Sequence, residues 1–156
     1  MSRAGAIRAA RGLRPAGSVP QGSGSGERMT TQKQILVIDD EPQIGELIAS
    51  VARTCGYRVE AHVQPSAFCD SYRSLGPDLI VLDLQIPGTD GIELLRFLAE
   101  EQCRAPVLIM SGYDTRVLES ARRLGAARGL HIAGIVPKPI GAAQLRAMIN
   151  DAMRNA

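Results

Sequence analysis

Five residues have types and positions that could do chemistry together. Asp39 and Asp40 are adjacent, Asp83 follows the apolar run Leu79-Ile80-Val81-Leu82, Ser111 follows Val107-Leu108-Ile109-Met110, and Lys138 comes two residues after the apolar block 132–136. Three carboxylates gathered in one place repel and raise one another's pKa unless a cation holds them. A hard divalent ion with oxygen ligands does this, and Mg2+ is the natural choice. With that charge screened, one carboxylate can act as a nucleophile toward a phosphoryl group. A serine hydroxyl can donate a hydrogen bond to a phosphoryl oxygen, and a lysine supplies a mobile point charge to another.

Each of these residues also has a plainer role when taken singly. Asp39-Asp40-Glu41-Pro42 is a good helix start, with acids near the helix dipole and Pro at an early position. Asp83 fits a turn, as does Gly88-Thr89-Asp90-Gly91, and Ser111-Gly112 fits a loop. The order of two acids, then Asp, then Ser, then Lys, each closing a separate apolar run, is what the plain roles leave unexplained.

The elements that must position these residues are legible from Gln34 onward. Short β-branched runs at 35–38, 57–61, 79–82, 107–110 and 132–136 predict five strands, several of them apolar throughout, as strands covered on both faces are. Amphipathic segments near 42–54, 65–74, 90–102, 114–128 and 140–153 predict helices. Ile44, Leu47, Ile48 and Val51 share one face of the first, and Leu145, Met148, Ile149 and Met153 share one face of the last. Strict alternation predicts an α/β fold, a doubly wound five-stranded parallel sheet with flanking helices. The carboxyl ends of its strands form the binding edge, and all five polar residues fall there.

Composition bounds the rest. The 156 residues with 45% hydrophobic content fit one domain of ordinary size. The formal charge of +2 is unevenly spread, with six basic residues against one acid, Glu27, in residues 1–33, and a net −3 over 34–156. An acidic core argues against nucleic-acid binding by that domain, since affinity for DNA comes largely from basic groups. An aromatic content of 3% offers no stacking platform for bases. Cys55, Cys69 and Cys103 lack CxxC spacing and read as reduced packing residues. His62 and His131 lack metal-ligand spacing and an apparent acid partner, and Arg122, Arg123 and Arg128 read as a solvated helix face. No apolar run has the length of a membrane span.

Residues 1–32 form a basic N-terminal extension expected to be disordered, because Arg, Ala, Gly and Ser with the run Gln21-Gly22-Ser23-Gly24-Ser25-Gly26 cannot bury enough apolar surface to offset ordering entropy. An Arg-rich targeting sequence, a basic arm for an anionic partner, and an upstream start preceding Met29 all fit this stretch. The last is favoured, because no hydrophobic segment of signal-peptide type follows.

Four segments carry a family resemblance. Ile35-Leu36-Val37-Ile38-Asp39-Asp40-Glu41, Asp78-Leu79-Ile80-Val81-Leu82-Asp83-Leu84-Gln85-Ile86-Pro87-Gly88-Thr89-Asp90-Gly91, Met110-Ser111-Gly112 and Pro137-Lys138-Pro139 resemble the receiver domains of two-component response regulators, over about residues 34–153. The resemblance implies a flavodoxin-like receiver over 33–156, phosphorylated on Asp83. It implies Mg2+ bound by Asp40, Asp83 and the backbone carbonyl of Gln85, with Asp39 assisting through water. Ser111 and Lys138 then read the phosphorylated state, and Lys138 precedes a cis-prolyl bond at Pro139. The partners implied are a histidine kinase or phosphotransfer protein and an unidentified downstream effector, for a single-domain cytoplasmic regulator without nucleic-acid binding by the core or membrane attachment.

The sequence departs from the family pattern in two places. Ile135 stands where an aromatic residue commonly turns inward on activation. The segment between Ser111 and Lys138 is lengthened through Arg122-Arg123-Leu124-Gly125-Ala126-Ala127-Arg128-Gly129-Leu130-His131, similar to receivers attached to cyclic-di-GMP phosphodiesterases. Two other classes compete. Phosphatases of the haloacid dehalogenase type also use an Asp nucleophile with Mg2+, but their nucleophile follows the first strand with a second Asp two residues on. A pseudo-receiver would bind partners without phosphorylation, and the intact acidic set counts against it.

Overall fold

The computed structural model describes residues 32–155; the expected extension over 1–32 lies almost wholly outside them. Five strands, β1 (Gln34–Ile38), β2 (Arg58–His62), β3 (Leu79–Asp83), β4 (Val107–Ser111) and β5 (Ile132–Pro137), form one sheet in the order 2-1-3-4-5 with all pairings parallel. Five helices connect or follow them: α1 (Pro42–Thr54), α2 (Pro65–Leu75), α3 (Gly91–Glu100), α4 (Thr115–Ala127) and α5 (Ala142–Arg154). The expected doubly wound α/β architecture is thus the observed one.

Continuous apolar strands follow from two separate cores. Ile35 and Val37 of β1 and Leu79 and Val81 of β3 join Ile48, Val51, Leu145 and Ile149 of α1 and α5 on one face. Leu36, Ile38, Ile80 and Leu82 point the other way, into Phe68, Leu94, Leu95, Leu98 and Leu118 of α2, α3 and α4. Side chains alternate across a strand, so a sheet buried on both sides needs apolar residues at every position.

Boundaries moved where local chemistry overrode the hydrophobic pattern. The second strand begins at Arg58 and not Tyr57, because Gly56 and Tyr57 still hydrogen-bond back to the end of α1. Helix α1 starts at Pro42 with Glu41 as its N-cap, but no side chain caps it; Asp39 instead accepts a hydrogen bond from the Glu41 amide at 2.9 Å. Asp39 is thereby tied to the turn between β1 and α1. Helix α3 stops at Glu100, short of the expected 102, where Gln102 turns to a φ of 57°.

After β3 the chain makes a small antiparallel hairpin, Gln85–Ile86 with Thr89–Asp90. Pro87-Gly88 supplies its turn, with Gly88 at φ 78° where an L-residue would be strained. Asp90 then caps α3 by accepting from the Ile92 amide at 3.0 Å. The hairpin therefore fixes the residues immediately after Asp83.

Candidate functional site

All five residues singled out by type and spacing meet at the carboxyl edge of the sheet. Asp39 follows β1, Asp83 ends β3, Ser111 ends β4 and Lys138 follows β5. Sheet order makes this possible: β1 and β3 are neighbours, β3 pairs β4, and β4 pairs β5, so loops distant in sequence open side by side. Strand β1 lies between β2 and β3, at the point where the winding direction reverses, which is where open α/β sheets bind ligands.

Asp39, Asp83 and Ser111 are the only buried polar or charged residues among those described. Burying ionisable groups is costly unless they are paired, and here Lys138 supplies the countercharge. Its Nζ lies 2.9 Å from Asp39 Oδ2, 3.3 Å from Asp83 Oδ2 and 3.3 Å from Glu41 Oε1. Burial alone would lower the Lys138 pKa, but the Asp39 and Asp83 carboxylates outweigh it and raise the pKa, keeping the ammonium charged. The backbone holds the lysine in place: its amide donates to the Ser111 carbonyl at 2.9 Å, and the bond to Pro139 is cis, as the resemblance implied.

Asp83 differs from an ordinary carboxyl group. Desolvation drives its pKa up, the Gln85 amide lowers it by donating to Oδ1 at 3.0 Å, the Asp39 charge raises it again and Lys138 opposes; the balance stands at about 6 against an ordinary 3.8. One oxygen each from Asp39, Asp40 and Asp83 lies within 4.8 Å of the others. The three carboxylates are therefore close enough to share one divalent cation with oxygen ligands, Asp39 through an intervening water. Asp39 Oδ2 strengthens the fit: it is buried, has the ammonium as a charge partner, and accepts no well-directed hydrogen bond.

Ser111 is fully buried, and its hydroxyl donates to Gln85 Oε1 at 3.0 Å while accepting from the Tyr113 amide at 3.0 Å. The Gly112 amide donates to the same Gln85 oxygen at 2.7 Å. This serine is thus engaged by a carboxamide beside the acidic cluster.

A model of the response regulator receiver domain matches residues 35–150. The chain belongs to the response regulator receiver domain family. It is 35% identical over 129 residues to the transcriptional regulatory protein FixJ of Bradyrhizobium diazoefficiens, covering 82% of this chain and 60% of that protein. To the DNA-binding response regulator MtrA of Mycolicibacterium smegmatis it is 34% identical over 86 residues, 55% of this chain and 38% of the relative. A crystal structure of a response regulator from Colwellia psychrerythraea superimposes with a TM-score of 0.69 at 31% identity, covering 81% of this chain and all of that one. The chain therefore spans 60% or less of the length of these two curated relatives.

Within this receiver, two side chains matter that sequence reasoning did not single out. Glu41, taken only as part of a helix start, is a third carboxylate on Lys138; its direct succession to Asp39-Asp40 was the available signal. Gln85, considered only for its carbonyl, contributes its carboxamide as well, and nothing in its type or spacing announced that.

His62 does have an acid partner. Its Nε2 lies 2.8 Å from Glu60 Oε2 and 2.8 Å from Ser71 Oγ, since residues two apart on β2 share a face. The Ser71 hydroxyl donates to Glu60 at 2.7 Å and is the main cause holding that carboxyl below its usual range. The three cysteines are free thiols. Arg122 pairs with its helix neighbour Glu119, consistent with a solvated face. No helix among the described residues is long and apolar enough to cross a membrane.

Proposed function

We propose that this receiver accepts a phosphoryl group on Asp83, with Mg2+ held by Asp40, Asp83 and the Gln85 carbonyl and with Asp39 supporting the ion through water. The observation that carries the reading is the buried Asp83 carboxylate, which shares its pocket with two further acids and one lysine. A bound Mg2+ supplies charge screening between this carboxylate and an incoming phosphate. The chain's own residues do the rest. The Gln85 amide orients Asp83 through Oδ1, and Lys138 sits 3.3 Å from Oδ2, placed to neutralise charge that phosphorylation adds. Ser111 supplies a hydroxyl donor at the end of the adjacent strand.

The donor in this reading is a histidine kinase or phosphotransfer protein, and the setting is the cytoplasm. Added charge on Asp83 draws Ser111 and Lys138 inward. Because the Tyr113 amide is bonded to Ser111 Oγ, movement of that hydroxyl pulls on the loop leading into α4. Tyr113 and Val117 are large apolar side chains exposed at 45% and 44% at that position, so this face is the one whose presentation to an effector protein changes.

The test is incubation with Mg2+ and acetyl phosphate, comparing wild type with Asp83→Asn. We expect one phosphoryl group per chain, cleaved by hydroxylamine as an acyl phosphate is, and none on the variant. Label that persists in Asp83→Asn or resists hydroxylamine overturns the assignment. Turnover of an external phosphoester would favour the phosphatase class instead.

A further inference from the structure

The donors at the end of β4 are occupied in the unphosphorylated chain. Ser111 Oγ and the Gly112 amide both point at one atom, Gln85 Oε1, at 3.0 and 2.7 Å. Two donors converging on one oxygen is the arrangement used to hold an oxyanion. Here a neutral carboxamide oxygen fills it. The approach is close because residue 112 is glycine; a Cβ there would stand 3.1 Å from Gln85 Oε1.

Each of those donors has a single hydrogen. Neither serves Gln85 and a phosphoryl oxygen at full strength together. Gln85 is also tied by its backbone to the nucleophile, since its amide donates to Asp83 Oδ1, and to the hairpin through its pairing with Asp90. Its carboxamide must therefore leave by rotating about its own side-chain bonds. Gln85 is an exposed residue, so a released carboxamide passes into water and keeps its hydrogen bonds there.

We infer that the Gln85 carboxamide is a competitive latch, an internal substitute for a phosphoryl oxygen that occupies the Ser111 and Gly112 donors until phosphorylation of Asp83 displaces it. This rests on the phosphorylation reading above and makes Gln85 a positioning residue that sets how readily the reaction proceeds. With acetyl phosphate, an Asp83 carboxylate oxygen forms a bond to phosphorus as the bond from phosphorus to the acetyl oxygen breaks. Acetate leaves with the electron pair. The Ser111 and Gly112 hydrogen bonds pass from Gln85 Oε1 to a phosphoryl oxygen, and no proton changes owner.

The test compares wild type, Gln85→Met and Gln85→Glu in the full chain. Methionine keeps the length of glutamine and accepts hydrogen bonds only weakly, whereas glutamate keeps the acceptor and adds a charge that repels phosphate. We expect Gln85→Met to take label from acetyl phosphate about two- to tenfold faster, the range one neutral hydrogen bond commands, and Gln85→Glu to be slower than wild type. Deuterium exchange of the Gly112 amide, followed by NMR without metal or phosphate, should accelerate in Gln85→Met by a similar factor. An unchanged Gly112 exchange rate means there is no latch. Accelerated exchange with unchanged labelling means the bond does not compete, and this also overturns the inference. A wild type that takes no label sinks both readings, whereas a labelled wild type with an unaccelerated Gln85→Met sinks this one alone.

Discussion

At the residue scale, the raised pKa of Asp83 ties stability to pH in a defined direction. Between its ordinary 3.8 and about 6, the folded chain holds more protons on this group than the unfolded chain does. Stability contributed by Asp83 therefore falls as pH rises through that window, and the loss persists above it. In thermal unfolding experiments Mg2+ should stabilise the protein strongly above pH about 6 and far less near pH 4, because below about 6 the ion competes with protons for Asp83. Asp83→Asn removes the charge repulsion, so the metal-free variant should be more stable at neutral pH by about 1–3 kcal/mol, and Mg2+ should add little to it. Lys138 acts in the opposite sense. Its ammonium sits on Asp39, Asp83 and Glu41 and so competes with a divalent cation for the same oxygens. Lys138→Met should bind Mg2+ several-fold more tightly by calorimetric titration, while losing the ion pair with Asp83.

At the element scale, α3 and the hairpin before it determine where Asp83 and Gln85 stand. Gly91 is the first residue of α3, and a Cβ there would lie 2.5 Å from Leu84 Cα and 2.9 Å from the Leu84 carbonyl oxygen, both backbone atoms that cannot rotate away. Gly91→Ala must push the helix off Leu84, the residue next to Asp83. It should cost about 1–3 kcal/mol in urea unfolding and reduce acetyl phosphate labelling as well. Asp90→Ala removes only the cap on Ile92. About 1 kcal/mol of stability should be lost, with labelling retained, and the contrast between these neighbours separates helix placement from helix stability.

At the scale of the whole molecule, two cores clamp one sheet, and the site occupies the open edge that neither core covers. Phe68 is fully buried, packed with Leu36, Ile38 and Leu82 in the core beneath α2, α3 and α4. Phe68→Ala should cost about 3–5 kcal/mol in chemical denaturation, from lost transfer energy and the cavity left behind. Ile38, the last residue of β1, and Leu82 of β3 immediately precede Asp39 and Asp83, so loosening this core also slackens the acidic pair. Conversely, an ion held by Asp40 and Asp83 would link the residues that follow β1 to the end of β3 and stabilise the sheet by mass action.

The amino-acid sequence by itself determined the alternation of elements, the burial of both sheet faces and the set of residues at strand ends. Periodicity and apolar runs record which surfaces must leave water, and that is a local property of the chain. Asp39, Asp40, Asp83, Ser111 and Lys138 were legible because each interrupts or follows an apolar run, and the cis bond at Pro139 followed from the resemblance. Only the tertiary structure decided which polar atoms meet. The Lys138 contacts to Asp83 and Glu41 join residues 55 and 97 positions apart, and the Ser111 bond to Gln85 joins residues 26 apart. Such partners depend on strand order, on the hairpin that aims Gln85, and on side-chain rotamers. None of these leaves a mark in local spacing, because directional contacts across separate loops exist only once the hydrophobic cores have set those loops side by side.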